Sequence, residues 1–309
     1  MSPTGQRSIL DCIGNTPFVF LKSVVRPSSA DVVLKLEFFN PTGSYKDRAA
    51  LAMILGAEKR GELRAGMRVV EFTAGNTGAA LAMICAVKGY PFTPVTSDAY
   101  SAEKLKVMEA FGAKPFVIPS GPDGISAELV RRLQAATEKE ARDPEVFYTD
   151  QFSNVDALDG GAAVGRELLE QLDGHVDVFC AAVGSAALLL GVAEAFRRAD
   201  CRARIVALEP ASAPILTAGH GGAHRVDGVA VSFVPPHMRD KRYEAMAVDE
   251  SRAREMARRL AREEGIMAGT STGLNVLAAL DLAEKLGPGH TVATVAVDTG
   301  LKYVNSGLF

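Results

Sequence analysis

Short runs of apolar, β-branched residues alternate with helix-patterned stretches along almost the whole chain, and this alternation limits the fold more than any other feature. Strands are expected at 32–38, 68–72, 91–96, 114–118, 176–183, 205–209 and 291–297. Helices are expected between them, at 47–60, 78–88, 102–111, 125–141, 188–198, 249–264 and 274–286. Strands that are apolar throughout are buried on both faces, and intervening helices supply the cover, so the expected class is α/β with mostly parallel sheets. With 309 residues, 48% of them hydrophobic, the chain can bury the core of one large or two ordinary domains.

Several function classes drop out early. A net charge of -3 gives no reason to expect nucleic acid or an anionic membrane as partner. Arg131 and Arg132, like the arginines between 252 and 259, read as solvated helix faces. The longest uncharged apolar run, 178–193, is shorter than the ~20 residues of a spanning helix and carries Gly184 and Ser185 within it. It reads as a buried strand turning into a helix. No basic start followed by an apolar stretch marks a signal peptide. Cys12, Cys85, Cys180 and Cys201 lack metal-type spacing and read as inert buried thiols in a reducing cytoplasm, so no metal is expected. The stretches 120–124 and 219–224 read as surface loops.

In open α/β sheets ligands bind where strands end and helices begin, and four such turns carry Gly and hydroxyl residues. The first runs from Asn40 to Arg48 and holds Lys46. Ser44 is a plausible N-cap with Asp47 three residues on, which places Lys46 in a first helical turn. There the macrodipole disfavours a cation by roughly 0.3–1 kcal/mol. A nucleophilic amine and a solvated lysine paired with Asp47 both remain open at this turn. The second turn, Thr73-Ala74-Gly75-Asn76-Thr77-Gly78, offers glycines for close backbone approach and free N–H groups suited to a carboxylate. The third, Gly184-Ser185-Ala186-Ala187-Leu188, opens a helix with small residues and suits a phosphate, though tight packing explains it equally. The fourth, Gly269-Thr270-Ser271-Thr272-Gly273, places hydroxyls at a helix entrance, where capping is the plainer reading. Together, an amine, a phosphate cradle, an anion turn and a hydroxyl turn match the parts of an amino acid bound to pyridoxal phosphate.

At these residues the chain resembles the cysteine synthase family, within the fold type II pyridoxal-phosphate enzymes. The resemblance begins at Ile13-Gly14-Asn15-Thr16-Pro17 and runs through the Lys46 and Asn76 turns, 101–113, 148–154, Glu209-Pro210 and 228–235. It closes on Glu263-Glu264-Gly265-Ile266, the Ser271 turn and Asp298-Thr299-Gly300-Leu301-Lys302-Tyr303. It implies two open twisted sheets, mostly parallel and flanked by helices, in a tryptophan synthase β-like arrangement. Residues 1–47 and 151–309 would form a larger cofactor-binding domain, and 48–150 a smaller one carrying Asn76 that could close over substrate. Pyridoxal 5'-phosphate would form a Schiff base with Lys46, which later moves the α-proton. Asn76 would hydrogen-bond the 3′-oxygen, Gly184, Ser185, Ala186, Ala187 and Leu188 would wrap the phosphate, and Ser271 would face the ring nitrogen. Thr73, Ala74, Gly75, Thr77 and Gln151 would surround the substrate carboxylate. A cytoplasmic homodimer acting on an amino acid and a small nucleophile is implied as well.

The implied reaction is β-replacement on an O-activated serine or related amino acid, through an aminoacrylate, yielding cysteine or another β-substituted alanine. Elimination to a keto acid is the alternative, and a non-catalytic relative a third reading. Three departures bear on these. The family's usual Gly-Thr-Gly-Gly-Thr phosphate loop has Leu188 in place of its last hydroxyl; Ala74 stands where many relatives have Ser; and 155–161 and Tyr100 differ on the substrate side.

Overall fold

The computed structural model describes residues 7–73, 75–121, 127–229, 233–239 and 243–309. In chain order the elements are β1 (Phe18–Phe20), β2 (Asp31–Leu36), α1 (Lys46–Arg60), β3 (Arg68–Phe72), α2 (Asn76–Lys88), β4 (Phe92–Ser97), α3 (Ala102–Ala110), β5 (Phe116–Ile118) and α4 (Ala127–Glu140). They continue with β6 (Val146–Tyr148), α5 (Ala157–Gln171), β7 (Val178–Ala182), α6 (Ala187–Arg198), β8 (Arg204–Pro210), β9 (Glu244–Val248), α7 (Glu250–Arg259), α8 (Thr270–Leu286) and β10 (Thr291–Ala296). Two compact units result: Met1–Ile13 with Lys46–Ala157, and Gly14–Tyr45 with Leu158–Phe309.

The first unit is built on a parallel sheet of order β5-β4-β3-β6. Successive residues of β3 point to opposite faces. Val69 joins Ile54 of α1, Leu81 of α2 and Met108 of α3, while Val70 joins Leu129 and Leu133 of α4. Both faces are therefore covered, as continuous apolar strands require, and each fully buried Leu, Ile or Met stabilises by roughly 1.5–3 kcal/mol.

The second unit has the order β1-β2-β10-β7-β8-β9, parallel except for the antiparallel edge strand β1. Val178 and Cys180 of β7 pack with α7 and α8 residues on one face. Phe179, between them, meets Phe196 of α6 edge-on at 6.1 Å on the other. α5 and α6 cross closely through glycines: a Cβ on Gly191 would lie 2.2 Å from the Leu158 carbonyl oxygen, and one on Gly161 2.3 Å from that of Ala187.

Every expected strand is present, β3 with the same bounds and the others with shifted ends, and every expected helix is present over its described residues. The strand expected to reach 38 stops at Leu36, because buried Glu37 starts a 3-10 turn and its carboxylate accepts from Thr16 and Asn40 side chains. β1, β6, β9 and α5 were not expected. No helix of the described residues is long and apolar enough to cross a membrane. Cys85 and Cys180 are buried, and burial pushes both thiols up to about 12. Cys12 is exposed and Cys201 half-buried, which corrects the reading of all four as buried; Cys12 ends a short 3-10 helix with no buried residue.

Candidate active site

Both sheets have a switch point where the chain changes direction across the sheet, and ligand crevices form at the carboxyl ends of strands there. In the first unit β3 leads to β4 and β5 on one side while β6 lies on the other; in the second, β7 leads to β8 and β9 while β10 lies opposite. The four turns follow these strands or are held against their ends.

In the first unit, Thr73 is buried after β3, and its Oγ1 accepts from the N–H of Gly78 at 2.9 Å and of Gly75 at 3.4 Å. This hydroxyl thus stands in for the missing side-chain cap of α2, whose N-cap is Gly75. Its own proton has no acceptor among the described residues. Asn76 and Thr77 open α2, two residues earlier than expected. Thr77 Oγ1 donates to Gln151 Oε1 at 2.7 Å. Gly78 serves packing rather than ligand approach, since a Cβ there would press on Met108 Sδ at 2.5 Å. Gly75 is more open, with Lys104 Nζ of α3 the nearest cation, 3.9 Å from an added Cβ. Ala74 lies outside the described residues, as do 122–124 of the expected loop and 125–126 of the expected helix after it.

Lys46 is the first residue of α1. The residue before it is Tyr45, and Ser44 pairs with Asp298 in an isolated bridge. Asp47 is fully buried, so a solvent-facing Lys46–Asp47 pair does not exist. Desolvation lowers the Lys46 amine to about 8, against the pull of the Glu71 charge in the other direction. Glu71 was missed in the sequence, although a carboxylate in the middle of an apolar strand is itself a signal. It is fully buried, and burial raises it to about 8 against hydrogen bonds from Thr149 and Gln151.

In the second unit, the loop after β7 carries Gly184 and Ser185, and Ala186 caps α6 in the left-handed region at φ 69° with no side-chain cap bond. A Cβ on Gly184 would lie 2.2 Å from the Gly228 carbonyl oxygen, so that glycine serves chain packing. Ala187 and Leu188 form the first turn of α6, both buried. Ser185 is also buried, and its hydroxyl has no hydrogen-bond partner among the described residues.

The fourth turn lies inside α8, whose N-cap is Gly269, also without a side-chain bond. Its threonines are anchors, not caps: Thr270 Oγ1 accepts from the Asp227 N–H at 3.2 Å and Thr272 Oγ1 from that of Val297 at 3.2 Å. Between them Ser271 is buried, with its hydroxyl unengaged among the described residues. Asn275, one turn on, binds the ends of both switch-point strands. Its Oδ1 accepts from the Ala182 N–H and its Nδ2 donates to the Val295 carbonyl, each at 2.8 Å. Direct pairing of β7 with β10 is confined to Val292↔Val178 and Ala293↔Phe179, so α8 enters where the strands part. The Ser185 loop and Ser271 therefore share the carboxyl end of one sheet.

A sequence model described as pyridoxal-phosphate dependent enzyme matches residues 9–298. The chain belongs to that family. Its cysteine synthase resemblance is borne out: a cysteine synthase of Staphylococcus aureus is 37% identical over 304 residues, 98% of this chain and 96% of that protein. The crystal structure of an O-ureido-L-serine synthase superposes with a TM-score of 0.89 at 37% identity, covering 98% of this chain and 95% of that one. An O-acetyl serine sulfhydrylase isoform of Entamoeba histolytica reaches 0.91 at 31% identity, over 100% of this chain and 93% of that one. The expected fold type II architecture and dependence on pyridoxal phosphate follow.

The donor set of this pyridoxal-phosphate enzyme fits its cofactor. A helix start without a side-chain cap, beside the Ser185 hydroxyl that has no protein partner among the described residues, suits a phosphate. A second such hydroxyl, at Ser271, suits a neutral ring nitrogen, and a half-buried amine of lowered pKa suits covalent attachment.

Proposed function

We propose that this enzyme replaces the β-substituent of an O-activated serine or a related amino acid with a small nucleophile, forming cysteine or another β-substituted alanine. The observation that carries the reading is Lys46: an amine lowered to about 8, in the same unit as the carboxylate turn that opens α2. The likeness to a cysteine synthase and to O-ureido-L-serine and O-acetyl serine enzymes supports the substrate class.

The roles are those that the family resemblance implies for the groups present. Gly184, Ser185, Ala186, Ala187 and Leu188 hold the cofactor phosphate through backbone N–H groups and the Ser185 hydroxyl. Ser271 would face the ring nitrogen and Asn76 the 3′-oxygen. Thr73, Ala74, Gly75, Thr77 and Gln151 hold the substrate carboxylate, fixing the amino acid with its α-proton toward Lys46. When bound, the cofactor supplies an electron-withdrawing ring that stabilises negative charge at the α-carbon. Lys46 would hold it covalently and, as a neutral amine, would take the α-proton of the amino acid. A hydroxyl at Ser271 leaves the ring nitrogen unprotonated and the ring a weaker sink, which suits prompt loss of a β-leaving group. The two units would act as a smaller and a larger domain of a cytoplasmic homodimer; sedimentation equilibrium tests the assembly.

The deciding experiment supplies the loaded enzyme with O-acetyl-L-serine or O-ureido-L-serine, with and without sulfide. Formation of cysteine supports replacement. A keto acid and ammonia, released at the same rate whether or not sulfide is present, would establish elimination instead. No turnover in wild type, or turnover retained in Lys46→Ala, would overturn the reading.

A further inference from the structure

Glu71 lies in the strand that leads into the carboxylate turn, yet none of the roles above uses it. Its side chain is fully buried. Oε2 accepts from Thr149 Oγ1 at 2.5 Å and from the Gln151 N–H at 3.1 Å. Asp150, between those two residues, has φ 45°, in the left-handed region that a non-glycine residue enters at a cost. One buried carboxyl therefore pins both sides of a strained bend.

The bend carries Gln151, and the orientation of its amide is decided by its neighbours. Only the nitrogen can face the Phe72 carbonyl, to which it donates at 3.1 Å, with Glu71 Oε1 at 3.5 Å from the same nitrogen. Oε1 is left to accept the Thr77 proton at 2.7 Å. A substrate carboxylate brings acceptors only. In this arrangement the Gln151 Nε2 and Thr77 hydroxyl protons both point at protein oxygens. Turning Gln151 off the Phe72 carbonyl would release both donors together, because the Thr77 proton loses its acceptor in the same movement.

We propose that Glu71 is a positioning residue for substrate binding, holding the 149–151 bend so that Gln151 and Thr77 switch together from facing each other to facing the substrate carboxylate. The inference rests on the carboxylate reading of the Thr73–Thr77 turn given above. Glu71 itself touches neither substrate nor cofactor; it acts through Gln151. Loss of its grip lets the bend relax and removes the pre-set reach of the amide, which weakens carboxylate binding; the Glu71 charge raises the Lys46 amine, so its loss favours the neutral base and costs the proton transfer nothing.

The test is steady-state kinetics on the cofactor-loaded enzyme with O-acetyl-L-serine and sulfide. In Glu71→Gln the KM for the amino acid is expected to rise about tenfold, with kcat within about twofold and the KM for sulfide unchanged. Gln151→Ala is expected to raise the same KM, and the double variant to add little, because both changes break one unit. A purely structural role for Glu71 predicts instead that kcat and bound cofactor fall together, and that result overturns the proposal, as does an unchanged KM. Thr77→Val separates the two levels. If it leaves the KM unchanged, the carboxylate reading itself fails; if it raises the KM while Glu71→Gln does not, only the positioning role fails. Should Glu71→Gln not fold, Thr149→Val removes one of the two groups pinned by the carboxyl and is held to the same KM-against-kcat outcome.

Discussion

At Lys46 two effects act in one direction. The helix start disfavours a cation and desolvation disfavours it more, while the Glu71 charge opposes both without prevailing. Covalent loading of apoprotein with cofactor should accelerate as pH rises through about 8, well below the 10.5 of an ordinary lysine, when followed by visible absorbance. Lys46→Ala should lose that Lys46-dependent band. Linkage gives the sign for stability: between about 8 and 10.5 the folded chain binds fewer protons at Lys46 than the unfolded one, so its destabilising contribution is full below about 8 and fades above it. Glu71 runs the opposite way, its protonated form being stabilised on folding, so its contribution declines as pH rises from 4.5 toward about 8. In urea titrations of apoprotein at pH 5 and 8, Glu71→Gln should lose stability less steeply with pH than wild type. Ser185 gives a further outcome. Removing its unengaged hydroxyl should leave apoprotein melting unchanged but weaken cofactor binding by about 1.5–3 kcal/mol, roughly ten- to a hundredfold in an absorbance titration. Lys46 and the turn glycines were legible because their residue types are rare in their surroundings. Which hydroxyls are engaged was not, because Thr270 and Thr272 are anchored by Asp227 and Val297, far along the chain.

Helix α5 shows why one element escaped the sequence. It carries Gly160, Gly161 and Gly165, which weaken an isolated helix by about 1 kcal/mol each and read as breakers. Gly161 and Gly165 are what allow α5 to lie against α6, where Ala187, Leu188 and Val192 leave no space for a Cβ. That crossing backs the first turn of α6, the turn proposed to meet the phosphate. Gly191→Ala, placing a Cβ 2.2 Å from the Leu158 carbonyl oxygen and 2.6 Å from the Ala162 nitrogen, should force the helices apart. The expected cost is about 1–3 kcal/mol in denaturant unfolding, with weaker cofactor retention. Asn275 plays the matching part in α8. Its replacement by Ala should cost about 1–3 kcal/mol for each of the Ala182 N–H and Val295 carbonyl left without a partner, read by the same titration.

For the molecule as a whole, ligand linkage sets the scale: cofactor at a hundredfold excess over its dissociation constant adds about 2.7 kcal/mol to the folded state. Calorimetry with and without cofactor should show that gain, and Ser185→Ala should reduce it at equal cofactor concentration. The sequence by itself determined the α/β class, the parallel sheets and the four turns, because strand burial and helix periodicity are local properties written in short windows. It also carried the family, since the Lys46 and Asn76 motifs are contiguous. Only the tertiary structure decided which turns share a sheet end, that Gly78, Gly184 and Gly273 serve packing, and that Ser185 and Ser271 keep hydroxyls unengaged among the described residues. It alone exposed Glu71 as the group pinning the bend before Gln151. The reason is physical: burial, hydrogen-bond satisfaction and pKa depend on what residues distant in the chain bring to a side chain, and no window of sequence contains them.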